Sequence, residues 1–203
     1  GIVSKDNLWI KSSDITVTSV DDGIRGKDML SISGGTITVN AQGDGLKSTN
    51  ETDAGEGNLV ISGGSVTIQS GDDGIKSEQK AWITGGTINV AKSVEGIEAP
   101  VIIIDGGDIT VYASDDGLNA SASAITTTGL SITINNGTLA VTVGPGDTDA
   151  IDSNGDIVVN GGTITITAPT SSFDFDGTGN INGGTVSVNG QTITTMPTQM
   201  MGG

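Results

Sequence analysis

Apolar and polar residues alternate through short segments of the chain, and each segment follows a pair of small residues. The pairs are Ser12-Ser13, Gly34-Gly35, Gly63-Gly64, Gly85-Gly86, Gly106-Gly107, Asn136-Gly137, Gly161-Gly162 and Gly183-Gly184. Alternation with a period of two is typical of β-strands, because successive side chains point to opposite faces. Most pairs are about 21 to 25 residues apart, a length that suits one turn of a β-solenoid.

Alignment of the repeats on these pairs produces four apolar columns, which we predict to face inward. The first holds Ile10, Ile32, Ile61, Ile83, Ile104, Ile134, Val159 and Ile181, and the second holds Ile15, Ile37, Val66, Ile88, Ile109, Leu139, Ile164 and Val186. The third holds Val17, Val39, Ile68, Val90, Val111, Val141, Ile166 and Val188, and the fourth holds Ile24, Leu46, Ile75, Ile97, Leu118, Ile151 and Phe175. β-Branched residues favour strands, and stacking of such columns forms a core that no single repeat could bury alone.

These columns predict an all-β fold, namely a right-handed parallel β-helix (solenoid) of about eight coils. Because the repeat runs along the whole chain, we expect a single domain over residues 1–203. Two intervals between pairs are longer than the rest, and they predict insertion loops near residues 49–57 and 121–128.

An acidic turn follows the second strand of successive repeats at the same register. It occurs as Asp21-Asp22-Gly23, Asp44-Gly45, Asp72-Asp73-Gly74, Glu95-Gly96, Asp115-Asp116-Gly117, and Asp149 before Ala150. In a solenoid these carboxylates would lie on one edge, about 4.8 Å apart, where unneutralised like charges repel. Three residues after the acid, the early repeats offer Arg25, Lys47 and Lys76, whereas the later ones offer Glu98, Asn119 and Asp152.

The change from basic to acidic residues along this edge predicts that calcium binds there. Calcium takes about six to eight oxygen ligands, which two adjacent acidic turns could supply together. The predicted ligands form three clusters, namely Asp72, Asp73, Glu95 and Glu98, then Asp115, Asp116, Asp149 and Asp152, then Asp21, Asp22 and Asp44. Ordinary turn chemistry explains one Asp-Gly turn, but it does not explain doubled acids in successive repeats.

The overall charge and the missing residue types exclude several functions. Lys and Arg total 8 against 24 Asp and Glu, a net charge of −16, so we expect repulsion from nucleic acid and from anionic membrane surfaces. Neither Cys nor His occurs, which excludes thiol catalysis, the usual zinc sites and a Ser-His-Asp triad. No apolar run approaches the ~20 residues that span a bilayer, so membrane insertion is not expected. The sequence leaves the oligomeric state open.

The coil pattern Asp72-Asp73-Gly74-Ile75-Lys76-Ser77, followed by Ile83-Thr84-Gly85-Gly86-Thr87-Ile88, resembles a known family. It is similar to the carbohydrate-binding β-helix proteins of clostridial cell surfaces, and the resemblance covers nearly the whole chain. Those proteins are similar in fold to polysaccharide lyase family 9, carry calcium on the helix edge, and are implicated in binding plant cell-wall polymers, notably cellulose and polygalacturonate. The resemblance implies a non-catalytic, extracellular or cell-surface protein that binds calcium and plant cell-wall polysaccharide.

Two other functions stay open. A calcium-dependent pectate-type lyase would need an unpaired base facing a calcium-bound sugar, and Arg25, Lys47 and Lys76 are the only bases near the acidic edge. Since each follows an acid by three residues, we expect local ion pairs there, which favours binding over catalysis. The second alternative is a structural adhesin or spacer segment, whose acids would serve only folding and solubility.

The candidate carbohydrate contacts are the three cations Arg25, Lys47 and Lys76 and two tryptophans. Trp9 and Trp82 are predicted to face outward at equivalent positions three coils apart. Sugar rings stack on exposed aromatic faces, but an outward Trp could equally pack beneath a loop such as residues 49–57.

Overall fold

The computed structural model describes residues 1–146 and 148–197, so residues 147 and 198–203 of the predicted domain lie outside the described part. The described residues form 23 strands and no helix, and the predicted all-β class is confirmed. The strands are β1 (Ile2–Ser4), β2 (Asn7–Ile10), β3 (Asp14–Ser19), β4 (Ile24–Gly26), β5 (Met29–Ala41), β6 (Leu46–Ser48), β7 (Asn58–Gln69), β8 (Ile75–Lys76), β9 (Lys80–Ile83), β10 (Thr87–Lys92), β11 (Ile97–Glu98), β12 (Val101–Ile104), β13 (Asp108–Ala113), β14 (Leu118–Ala120), β15 (Ser131–Ile134), β16 (Thr138–Val143), β17 (Asp149–Ser153), β18 (Asp156–Val159), β19 (Thr163–Thr167), β20 (Ser171–Phe175), β21 (Gly179–Ile181), β22 (Thr185–Val188) and β23 (Gln191–Ile193). In this described part there is accordingly no helix that could cross a membrane.

The strands form two sheets in which each repeat pairs with the repeats before and after it. The eight-stranded sheet has the order β1-β4-β6-β8-β11-β14-β17-β20. The fifteen-stranded sheet contains two rows of strands, one on each side of the small-residue pairs. We call them the leading row (β2, β9, β12, β15, β18, β21 and the first halves of β5 and β7) and the trailing row (β3, β10, β13, β16, β19, β22, β23 and the second halves of β5 and β7). Strands β5 and β7 run through the glycine pair and join the two rows.

Neighbouring strands are parallel, except that β23 returns antiparallel to β22. They pair in register apart from local shifts near Ser33, where β5 pairs with β7, and between Val90 and Lys92, where β10 pairs with β7. In the leading row, Ile61 pairs with Ile83 and Ile83 pairs with Ile104. In the eight-stranded sheet, Leu46 pairs with Ile75. All of these side chains are buried. Parallel strands buried in this way produce apolar positions that repeat from one strand to the next.

The core follows the predicted columns with one correction and one addition. Phe175 was predicted to close the fourth column, but Phe173 pairs with Ile151 there and is buried, while Phe175 pairs with Ser153 and is only half-buried. The two Phe residues lie on one face of β20 because strand side chains alternate, so spacing alone did not separate them. The core also has a fifth column, made of Leu8, Leu30, Leu59, Ala81, Ile102, Ile132 and Ile157.

The small-residue pairs turn the chain between the leading and trailing rows. The second residue of every pair except Ser12-Ser13 is a glycine with a positive φ, for example 95° at Gly86 and 100° at Gly107. Glycine adopts this backbone region without the steric penalty that a Cβ brings. The recurring pair therefore fixes the same corner in each repeat.

A second column of glycines lies under the acidic turns and leaves no room for side chains. A Cβ at Gly96 would come closer than 3.0 Å to the carbonyl oxygen of Gly117 and to Cγ1 of Val111. The backbones of adjacent repeats therefore approach each other directly at these turns, which brings the acids beside them into contact.

The two predicted insertions meet at one edge. Residues 49–57 separate β6 from β7, and residues 121–128 lie between β14 and β15. Ser123 Oγ donates to the carbonyl oxygen of Glu78 at 2.6 Å, and a Cβ at Gly57 would lie 3.0 Å from Cβ of Glu78 and 3.6 Å from Cδ1 of Ile125. Both insertions therefore cover the same part of the stack.

The close approach at the acidic turns predicts a strong effect of a small substitution. Gly96→Ala should lower the free energy of unfolding by about 1–3 kcal/mol, because the added methyl group has to displace the backbone of the next repeat. Gly144→Ala is the matched control, since a Cβ there would lie 3.3 Å from its nearest neighbour, the carbonyl oxygen of Ser114. Equal stability of both variants in chemical denaturation would contradict the packing described here.

Candidate functional site

One acid per repeat lies at the same position of six successive turns. We call this set the acidic column, and its members are Asp22, Asp44, Asp73, Glu95, Asp116 and Asp149. The glycine after each of the first five acids donates its N–H to the carbonyl oxygen of the next acid, as in Gly45 to Asp73 at 2.8 Å. Asp44 and Asp73 are only 2% and 3% exposed, whereas the first acids of the doubled turns, Asp21 and Asp72, are exposed.

Backbone N–H groups hold one oxygen of several acids in this column. The N–H of Asp44 donates to Oδ1 of Asp22 at 3.1 Å, and the N–H of Asp73 donates to Oδ1 of Asp44 at 3.1 Å. In a later repeat, the N–H of Asp149 donates to Oδ1 of Asp116 at 2.8 Å. The acids therefore keep a fixed orientation relative to the stack.

A second column lies beside the acids and contains the residues three positions later in each repeat. We call it the mixed column, and it runs in register through Arg25, Lys47, Lys76, Glu98, Asn119, Asp152 and Asp174. Its three cations form the predicted local ion pairs. Arg25 lies 3.2 Å from Asp22, Lys47 lies 2.6 Å from Asp44, and Lys76 lies 2.8 Å from Asp73.

Lys76 is the last cation in the mixed column, and it contacts two carboxylates. Its ammonium bridges Asp73 and Glu98. Burial and the neighbouring Glu98 raise the pKa of Asp73 to about 8, against the opposing effect of Lys76. Burial alone would also raise the pKa of Glu98, but hydrogen bonds with Asp73, Lys76 and Ser121 outweigh it and lower that pKa. One ammonium is thus shared by two acids, and the ionised form of Asp73 is disfavoured.

Beyond Lys76 the balance of charge at the edge changes. Burial, followed by the charge of Glu98, raises the pKa of Glu95 to about 7. Asn119 Nδ2 donates to Oε1 of Glu95 at 3.0 Å, but Oε2 of Glu95 is buried without a hydrogen-bond partner. Burial also raises the pKa of Asp152 to about 7, with Asp116 and Asp149 adding to the effect. This part of the edge therefore carries acids whose ionised forms are disfavoured.

Two groups of carboxylates are close enough to share a cation. Asp44, Asp72 and Asp73 form one group, and Asp73, Glu95 and Glu98 form the other. Within each group one oxygen from every residue lies within 4.8 Å of the others, and Asp73 belongs to both. Four of these five residues are the cluster predicted as Asp72, Asp73, Glu95 and Glu98, and Asp44 joins from the neighbouring cluster. Carboxylate oxygens are the ligands that calcium prefers.

The other predicted ligands lie along the same edge but form no comparable group within the described part of the chain. These are Asp21, Asp22, Asp115, Asp116, Asp149 and Asp152. Asp22 is held by Arg25 and by the backbone of Asp44. The best-formed candidate for a metal site is therefore at the middle of the edge.

The two tryptophans lie on the outer face of the leading row, at the same strand position. The positions from Trp9 to Trp82 are linked in register through Ser31 and Val60. Trp9 is 55% exposed and Trp82 is 37% exposed. The two tryptophans are thus outward and three repeats apart, as their spacing predicts.

Trp82 is partly exposed, but side chains of neighbouring strands and the first insertion surround its ring. It lines an open groove of about 630 Å³ together with Val60, Ile103 and Gly55 of the first insertion. Lys80 Nζ lies 5.4 Å from the ring centroid, a distance at which a cation is attracted to the face of an indole. Trp82 therefore combines an exposed ring with partial cover from the insertion.

A chain of hydrogen bonds that was not predicted from the sequence begins at Trp82. Trp82 Nε1 donates to Oδ2 of Asp105 at 2.7 Å, and Asn135 Nδ2 donates to Oδ1 of the same carboxylate at 2.7 Å. Asn160 donates to Asn135 at 2.8 Å, and Asn182 donates to Asn160 at 2.9 Å. We call Asp105, Asn135, Asn160 and Asn182 the amide ladder. The signal available in the sequence was an Asp or Asn directly before the small-residue pair in four successive repeats.

Comparison with known proteins gives one result. A family model described as "Carbohydrate-binding domain-containing protein" matches residues 1–147 of the chain. Neither a curated protein nor a solved structure matches it.

The position of Lys76 between Asp73 and Glu98 predicts that it contributes more to the free energy of unfolding than an exposed lysine does. In protein freed of metal, Lys76→Gln should lower the free energy of unfolding by about 1–3 kcal/mol, because Asp73 and Glu98 lose their shared partner. Lys92→Gln is the control, since Lys92 is exposed and forms none of the ion pairs described within 4.0 Å. Chemical denaturation in the presence of a chelator measures the difference, and similar losses in both variants would contradict the role of Lys76.

Proposed function

Because the chain belongs to the family of carbohydrate-binding domain-containing proteins, we propose that it is a non-catalytic, extracellular module that binds plant cell-wall polysaccharide. In this proposal calcium occupies the acidic edge, where it stabilises the turns and bridges to the carboxylates of acidic sugars. The clostridial cell-surface proteins that the repeat resembles are the source of the plant cell-wall assignment. A polymer of that kind is met outside the cell, which gives the extracellular location.

The calcium proposal rests on one observation, the group formed by Asp73, Glu95 and Glu98. Their oxygens lie within 4.8 Å of one another, and the cation paired with Asp73 and Glu98 is Lys76. A buried carboxylate oxygen without a partner, such as Oε2 of Glu95, is unfavourable unless a cation or a donor meets it. Calcium would supply that partner and would neutralise acids that two adjacent turns bring together.

The charges of the protein decide how each class of polysaccharide could bind. A chain with a net charge of −16 repels polygalacturonate at long range, so attraction requires local cations. Bound calcium is the strongest such cation, and Arg25, Lys47 and Lys76 lie along the same edge. A neutral polymer such as cellulose would instead use Trp82, Trp9 and the flat outer face of the leading row.

The ion pairs favour binding over lyase chemistry. Arg25, Lys47 and Lys76, the three candidate bases, each hold an acid of their own repeat. A base that abstracts a sugar proton has to be free to accept it. We therefore assign no catalytic residue.

We infer further that the repeats wind as a right-handed parallel β-helix. Consecutive repeats pair in parallel in both sheets, so the chain has to cross over between one strand and its partner. Crossovers between parallel strands are right-handed in about 98% of cases. A crystal structure in which the connections were left-handed, or in which the two sheets lay apart, would overturn this inference.

Calcium should bind to the protein and stabilise it. At a concentration about a hundred times its dissociation constant, it should add about 2.7 kcal/mol to the free energy of unfolding. Replacing Asp73 by Asn together with Glu95 by Gln should remove about one bound calcium per chain, since both residues belong to the shared group. Denaturation with and without chelator measures the first effect, and metal analysis of the purified protein measures the second.

The matched control for calcium binding is Asp53→Asn with Glu56→Gln in the first insertion. It removes two negative charges outside the acidic edge and should leave the metal content unchanged. Loss of calcium in this control instead would move the site to the insertion, and stability that is unaffected by chelation would contradict the calcium proposal.

Acidic and neutral polysaccharides should respond differently to removal of calcium. Chelation should abolish retention of the protein on immobilised polygalacturonate, because the bridging cation is lost, while retention on insoluble cellulose should persist. Lys47→Gln with Lys76→Gln, in protein shown by circular dichroism to be folded, should weaken only polygalacturonate binding. Equal retention of both polymers after chelation would make the acidic edge purely structural, and release of an unsaturated, ultraviolet-absorbing product would make the protein a lyase.

A further inference from the structure

The amide ladder has a direction. Asn182, Asn160 and Asn135 each donate from Nδ2 toward the preceding repeat, at 2.9, 2.8 and 2.7 Å. The series ends at Asp105, whose second oxygen accepts the indole N–H of Trp82 at 2.7 Å. An ionised carboxylate is acceptor-only, so Asp105 is suited to receive donors from both sides. Five side chains from five successive repeats are thereby ordered in one line.

The ladder uses only part of the hydrogen-bonding capacity of its amides. An Asn side chain has two N–H donors and two acceptor lone pairs. Within the ladder, Asn135 and Asn160 each use one donor and one lone pair. All three asparagines of the ladder are exposed. A donor and an acceptor therefore remain for a ligand at each step, about 4.8 Å apart along the stack.

The surface beside the ladder suits an uncharged ligand. The outward position that contains Trp82 is occupied in other repeats by Trp9, Ser31, Val60, Ile103, Thr133, Val158 and Asn180. None of these residues is charged. Two acids of this face, Asp105 and Asp156, would repel a uronate but can accept hydrogen bonds from hydroxyl groups. This face differs in character from the acidic edge, which lies along the eight-stranded sheet.

We propose that the amide ladder and Trp82 form a linear subsite for an extended, uncharged β-1,4-linked polysaccharide that runs across the strands. This inference rests on the carbohydrate-binding function proposed above. One sugar ring stacks on the exposed face of Trp82, which Asp105 holds in place through the indole N–H. Hydroxyl groups of the following sugars exchange hydrogen bonds with Asn135, Asn160 and Asn182. The spacing of the ladder suits such a polymer, because one pyranose unit is close in length to the distance between neighbouring strands.

The test compares two exposed asparagines on different faces. Asn160→Ala removes the middle of the ladder, whereas Asn89→Ala removes an exposed Asn from the outer face of β10 in the trailing row. The probe is a soluble β-1,4-linked glucose hexamer, measured by calorimetry. Asn160→Ala should weaken hexamer binding about 3- to 10-fold, as expected for one or two lost hydrogen bonds, while Asn89→Ala should leave it unchanged.

Binding of polygalacturonate with calcium separates the possible failures. We expect polygalacturonate to bind at the acidic edge, so both variants should retain this binding. Its retention also verifies that both variants are folded. Equal hexamer affinity in Asn160→Ala and Asn89→Ala, or no hexamer binding by a wild-type protein that binds polygalacturonate, overturns the ladder subsite and leaves the proposed function intact. A wild-type protein that binds neither polymer overturns both. Should Asn160→Ala fail to fold, Asn182→Ala replaces it, because Asn182 has only one partner in the ladder.

Discussion

Each side chain in the stacked rows has, as its nearest neighbours, the side chains at the same position one repeat earlier and one repeat later. This follows from parallel pairing in register, and it acts on every kind of residue. For an apolar position such as Ile83, the neighbours Ile61 and Ile104 extend a continuous core. For an acid such as Asp73, the same geometry brings Asp44 and Glu95 close. The rule that builds the core therefore also creates the electrostatic problem at the edge.

The charges of the stacked acids are compensated differently in successive repeats. The early repeats place Arg25 and Lys47 beside the acids and use backbone N–H groups to hold their oxygens. At Lys76 one ammonium contacts two acids, Asp73 and Glu98. Two repeats later the same position holds Asn119, which offers only a neutral amide to Glu95. Exposed ion pairs contribute little to stability, but partly buried acids without a counter-charge are unfavourable. The middle of the edge is consequently the place where a bound cation would change the energetics most.

The sequence was sufficient for four of the five apolar columns, because the small-residue pairs provide an anchor in each repeat and strands have a strict period of two. The one misplaced member, Phe175 for Phe173, occurs in the last repeat, where Ser171 stands at the position that the acid occupies in earlier repeats. The ion pairs at Arg25, Lys47 and Lys76 also follow from local spacing. The amide ladder did not, since its hydrogen bonds depend on side-chain orientation and join residues 22 to 30 positions apart. The sharing of Lys76 with Glu98 likewise depends on three-dimensional distances.

The two insertions on one edge have a consequence for chain entropy. Paired residues in consecutive repeats are separated by 21 positions between Ile83 and Ile104 and by 30 between Ile104 and Ile134, where the second insertion lies. Loop-closure entropy rises only with the logarithm of length, at about 0.6 kcal/mol for each doubling. Such extra residues therefore hardly affect the pairing of the strands on either side. At this edge the chain can be lengthened by whole loops, so new recognition surfaces could be acquired in evolution while the apolar columns stay unchanged.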